Sequence, residues 1–162
     1  MEEVTMLSLD TSSFCTGYAV WQNGGLKESG IIDLHKDKQH WQNMKRFLIG
    51  LMAKIQPDIV VVEHTSMQRK HFNAATLINL SQLIGVVEGW TIANNADFVQ
   101  LYPSEWRSRI GTHPSGREEC KAWAVETVKE RFHIECLSDD EADAILIGQA
   151  WINYFDKGEE TA

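Results

Sequence analysis

At 162 residues, with 43% hydrophobic and 23% charged, the chain is long enough for one full core and too apolar to stay disordered. No apolar run reaches the ~20 residues of a bilayer span, and no basic stretch precedes an apolar one at the start, so a cytoplasmic protein is expected. The formal net charge of −8 argues against a phosphate-rich partner, and three cysteines with no CxxC pair argue against a disulfide framework.

The first strand is Val4-Thr5-Met6-Leu7-Ser8-Leu9, closed by Asp10. A polar link, Thr11-Ser12-Ser13, leads to a second strand through Thr16-Gly17-Tyr18-Ala19-Val20-Trp21, and Asn23-Gly24 supplies the positive-φ pair of a tight hairpin back through Leu26 to Leu34. Trp41, Met44, Leu48, Leu51 and Ile55 then recur at helical spacing until Pro57. Ile59-Val60-Val61-Val62 is apolar without alternation, as in a central strand buried on both faces, and it closes on Glu63.

A long helix follows from Phe72 to about Ala93, and Asp97 to Leu101 forms a fifth strand. Ser115 with Glu118 makes a capping box for a helix with the seam Cys120, Ala124, Val128 and Phe132. Ser138 with Glu141 makes another, for a last helix through Ile147, Trp151 and Tyr154. The order β-β-β-α-β-α-β-α-α predicts one α/β domain over residues 1–156, a mixed five-stranded sheet flanked by helices, with a short acidic tail at 157–162.

The acids at the ends of apolar elements carry the chemistry. An unpaired buried carboxylate costs several kcal/mol, so isolated acids at strand ends need a reason. Asp10 and Glu63 both end strands, where ligands collect in α/β sheets. Asp140 and Asp143 share a helix face with Ile147 and Trp151, so the face that packs on the sheet aims them at those strand ends. Converging carboxylates of this kind suit divalent cations. Two simpler readings stay open: acids in a first helical turn answer the macrodipole, and Asp10 can open an Asx turn. Glu63 has no such explanation. Cys120, His133 and Cys136 fall short of a four-ligand zinc set.

Asp10-Thr11-Ser12 with Thr16-Gly17-Tyr18-Ala19-Val20, then Val61-Val62-Glu63, then Asp140-Glu141-Ala142-Asp143-Ala144 resemble, in order, the acidic motifs of the RuvC family of Holliday junction resolvases. Asn73, Leu80 and Gly85 fit that family's long helix, and Trp106-Arg107 through Lys121 fits its basic segment. The resemblance covers nearly the whole chain and is to a divergent, phage-like member. It implies the ribonuclease H-like fold, a homodimer, and Mg²⁺-dependent nicking of four-way junctions and other branched DNA in recombination and repair. The cell would be a bacterium or a phage-infected host. Asp10, Glu63, Asp140 and Asp143 would be the catalytic metal ligands for a pair of Mg²⁺ ions, with Mn²⁺ as a substitute. Lys121 would be a catalytic basic residue near the scissile phosphate.

DNA contacts are expected from Arg69, Lys70, Phe72, Trp106, Arg107, Arg109, Arg117 and Lys121. Phe72 is the candidate for the family's aromatic wedge, since His64-Thr65-Ser66-Met67 stands where that wedge would be. Trp41, Trp123 and Trp151 fall in amphipathic helices and read as core. The long helix carries Leu77, Leu80, Ile84 and Val87 on one stripe and Ile78, Leu83, Val86 and Trp90 around the rest, so a second subunit is expected to cover part of it, with Leu80 and Ile84 as interface probes. Two rival functions are a ribonuclease H-like nuclease of structured RNA and a junction-binding protein without turnover.

Overall fold

β1 (Thr5–Asp10) is flanked on one side by β2 (Cys15–Gln22), antiparallel to it, with Asp10 paired to Gly17. β3 (Gly25–Asp33) returns beside β2 through the expected hairpin, with φ of 50° at Asn23 and 79° at Gly24. The structure, a computed structural model, describes residues 3–65 and 73–159. On the other side of β1 lies β4 (Ile59–Glu63), parallel to it, and then β5 (Asp97–Leu101), parallel to β4. The sheet order is β3-β2-β1-β4-β5.

Parallel neighbours require crossovers. These are α1 (His40–Ile55), leading to β4, and α2 (Ala74–Ala93), leading from β4 to β5. Alternation along the central strands divides the core in two. Leu7, Leu9, Val60 and Val62 face Met44, Leu48 and Met52 of α1 and Leu83, Ile84 and Val87 of α2. Met44, Leu48 and Met52 are fully buried, and each such side chain stabilises the fold by about 1.5–3 kcal/mol.

Met6, Ala19, Trp21 and Val61 face the other layer, made of α3 (Pro103–Ile110), α4 (Arg117–Phe132) and α5 (Asp139–Glu159). Asp10 and Glu63 continue the Met6–Ser8 and Ile59–Val61 alternation, so both belong to this α5 face. Two devices seat α5 on it. The buried Ser8 hydroxyl donates to the Ala144 carbonyl at 2.7 Å and accepts the Trp21 indole N–H at 3.1 Å. Gly17 lies directly beneath the Asp140 carbonyl, where any Cβ would collide with backbone.

Local detail departs from expectation at α3 and α4, and the expected capping box at α5 is met in part. α3 is a separate helix that its eight residues were too few to announce by period, and Pro103 opens it. α4 begins at Arg117 with Gly116 as N-cap and no side-chain cap, so Ser115 and Glu118 form no capping box. At α5, Ser138 Oγ accepts from the Glu141 amide at 3.4 Å, while the Glu141 carboxylate accepts from the Leu137 amide at 2.6 Å and from Ser29 Oγ at 2.7 Å. Glu141 is thus a buried brace between the start of α5 and β3. No helix among the described residues is long and apolar enough to cross a membrane.

Candidate active site

In the register of β1 and β4, Leu9 lies beside Val62, which puts Asp10 and Glu63 at adjacent strand ends. The first two turns of α5 cross over them because Gly17 admits the Asp140 backbone against β2. Asp10, Glu63, Asp140 and Asp143 therefore meet in one electrostatic neighbourhood. Burial pushes Asp10 well above the ordinary carboxylate range, and the charges of Asp143, Glu63 and Asp140 add to it. Asp143 is pushed up to about 7, first by burial and then by Glu63, with Arg107 opposing. Asp140 is raised by burial, partly offset by a hydrogen bond from the Cys15 thiol. That buried thiol is itself pushed up to about 12 by burial and by Asp140.

Among the described residues, no three His, Cys, Asp or Glu side chains already stand at the spacing that holds an ion. The carboxylates are near enough to perturb one another, and their mutual repulsion works against closer approach. One of them is tied to a neutral partner: the Trp106 indole N–H donates to Glu63 Oε2 at 2.7 Å. The donor set fits a hard dication, being all carboxylate oxygen with the titrations of its buried members displaced in the direction that a cation would reverse.

The expected DNA-contact residues divide into three groups. Arg107 opposes the rise of Asp143 and lies over the Trp106 ring at 4.8 Å, while Lys121 lies 3.3 Å from Asp139 and lowers Asp140. Arg117, the first residue of α4, is exposed. Arg107, Arg117 and Lys121 thus remain able to meet a polyanion. Trp106 and Arg109 are corrections. Trp106 is fully buried in the core, where no base can stack on it. Arg109 pairs with Glu105 at 2.6 Å and lies over the Tyr154 ring at 4.5 Å, so it braces α3 against α5. Arg69, Lys70 and Phe72 lie outside the described residues.

Two solvent-facing rings that sequence reasoning passed over sit near the sheet end that carries the acids. Tyr102 packs on His64 at 4.4 Å between ring centres, and Phe14 packs on His40 at 4.0 Å. Their signal was weak, since an isolated aromatic beside a turn is common. Trp106 and Cys15 also went unassigned as partners of the acids, because nothing in linear spacing links them to Glu63 and Asp140.

No family model and no curated protein matches the chain in sequence. Solved structures do match. Thermus thermophilus RuvC in complex with a Holliday junction substrate superposes with a TM-score of 0.72 at 11% identity, covering 96% of this chain and 97% of that one. The fowlpox virus Holliday junction resolvase gives 0.65 at 14% identity, covering 93% and 99%. The yeast mitochondrial Holliday junction resolvase gives 0.62 at 13% identity, covering 96% and 80%. The chain thus has the ribonuclease H-like α/β fold of these junction resolvases, as its acidic motifs led one to expect.

Proposed function

We propose that this chain is a Mg²⁺-dependent endonuclease of branched DNA that nicks four-way junctions as a homodimer. The observation that carries the reading is the convergence of Asp10 and Glu63, from adjacent parallel strand ends, with Asp140 and Asp143 from the first turns of α5. The likeness in fold to junction resolvases supports it. Asp10, Glu63, Asp140 and Asp143 would hold the cations. A bound dication would supply Lewis-acid activation of the attacking water and of the leaving oxygen in an in-line phosphoryl displacement.

The chain's own groups would do the rest. Arg107 and Lys121, the bases facing the acids, would orient the phosphate and offset its charge as it enters an acidic site. Arg117 would contact the strand further along. The net charge of −8 is compatible with this, because part of it sits in the carboxylates that the cations would neutralise.

The outer face of α2 supports the dimer. Ile78 is 57% exposed and Ile92 74%, and Gly85 and Gly89 between them have, among the described residues, no neighbour within reach of a Cβ. Close helix approach across such small residues would suit a two-fold contact, and two matched sites suit a junction with two equivalent strands. Ile84, by contrast, is buried in the chain's own core, so it is a poor interface probe.

The test compares a synthetic four-way DNA junction with an RNA stem of similar length, each with Mg²⁺ and with EDTA. Paired nicks in the junction that need Mg²⁺ are expected. Cutting confined to the RNA stem would replace this reading with the RNA nuclease, and binding without cutting would leave a junction-binding protein.

A further inference from the structure

We propose that Trp106 is a positioning residue for the acidic site, its indole N–H fixing the rotation of the Glu63 carboxylate toward Asp10 and Asp143. The inference rests on the metal-dependent reading above. The bond from Trp106 Nε1 to Glu63 Oε2 is 2.7 Å, in the short range of charge-assisted hydrogen bonds. An indole N–H only donates, so this contact cannot reverse its sense.

The donor itself is enclosed by packing. Trp106 is fully buried, in one core cluster with Ile110, Ala124 and Val128. Its ring stacks on Trp123 at 6.4 Å and 27°, and the Arg107 guanidinium lies 4.8 Å over it. Glutamate has three side-chain torsions to order when it takes a ligand. A packed donor that orders one oxygen beforehand removes part of that cost. The alternative is that Trp106 only fills the core and its N–H takes the nearest acceptor. In that case a ring of similar size without the N–H would leave the acidic site unaffected.

The experiment titrates the DNA-free protein with Mn²⁺ alone and reads the Kd by calorimetry. Trp106→Phe keeps an aromatic ring and removes the donor. It should weaken Mn²⁺ binding about tenfold or more, the usual scale for loss of an outer partner of a metal ligand. In a Glu63→Ala background the same change should add less than about twofold, because the acceptor is already gone.

Unchanged affinity in Trp106→Phe overturns the inference, and so does a loss equally large in the Glu63→Ala background. Asp10→Asn separates the two levels. If it weakens Mn²⁺ binding while Trp106→Phe does not, only the positioning role falls. If neither does, the metal site falls with it. Should Trp106→Phe not fold, ¹⁵N spectra of the wild-type indoles decide. The indole resonance that Glu63→Ala displaces should also move on adding Mg²⁺, and one indifferent to Mg²⁺ would overturn the role.

Discussion

Asp10 and Asp143 are acids that the fold holds in a place where ionisation is costly. Their folded pKa values lie above the unfolded value near 3.9. The sign follows: a raised acid binds its proton more tightly in the folded state, so its stabilising contribution is full below about pH 4. For Asp143 that contribution is lost as pH rises through about 7. In EDTA the melting temperature should therefore include a component that falls between about pH 4 and 8. Asp143→Asn should flatten it, and Mg²⁺ should raise the melting temperature more at pH 8 than at pH 5. Scanning fluorimetry across that range measures all three, and an equal Mg²⁺ effect at both pH values would count against a shared cation. The bases are tested separately. Charge reversal at Arg107, Arg117 or Lys121 should weaken junction binding and flatten its salt dependence by about one unit of slope per lost phosphate contact. Reversal at Arg109, already engaged with Glu105 and Tyr154, should instead cost stability with little change in slope.

At the level of elements, the site depends on how α5 meets the sheet. Gly17→Ala places a Cβ against the Asp140 backbone and must lift the first turn of α5. A displacement near 1 Å is worth about 10² in rate, so cleavage should fall by about that factor in single-turnover assays while the protein still melts cooperatively. Much of this was legible in the chain. Glu63 stands out because nothing local explains an acid after Ile59-Val60-Val61-Val62, and the Asp140/Asp143 spacing assigns both to the packed face of a helix. What stayed hidden depends on partners distant in sequence. Gly17 reads as an ordinary strand glycine until Asp140 arrives above it, and Trp106 reads as core or as a base-stacking ring until Glu63 is found at its nitrogen. α3 was missed because eight residues make barely two turns, too few for a period to show. The Glu105–Arg109 pair that occupies one expected DNA contact was readable from its i,i+4 spacing.

For the whole molecule, the proposed function requires both the acidic site and a two-fold partner across α2. Ile78→Glu or Ile92→Glu should shift light scattering from dimer to monomer at micromolar concentration with little effect on the fold, since both side chains are exposed within one chain. Ile84→Glu should destabilise the subunit itself. Separated subunits should nick one strand without the matched second cut. The central claim is that the four acids perform the chemistry on a junction that other residues bind. Asp10→Asn and Glu63→Gln each remove a ligand charge while nearly conserving shape, and each lowers repulsion against phosphate. The decisive measurement is single-turnover cleavage of a four-way junction in Mg²⁺, paired with binding of the same junction in Ca²⁺. Cleavage should vanish in both variants with binding equal to or tighter than wild type, whereas either variant retaining more than about a tenth of the wild-type rate would contradict the account.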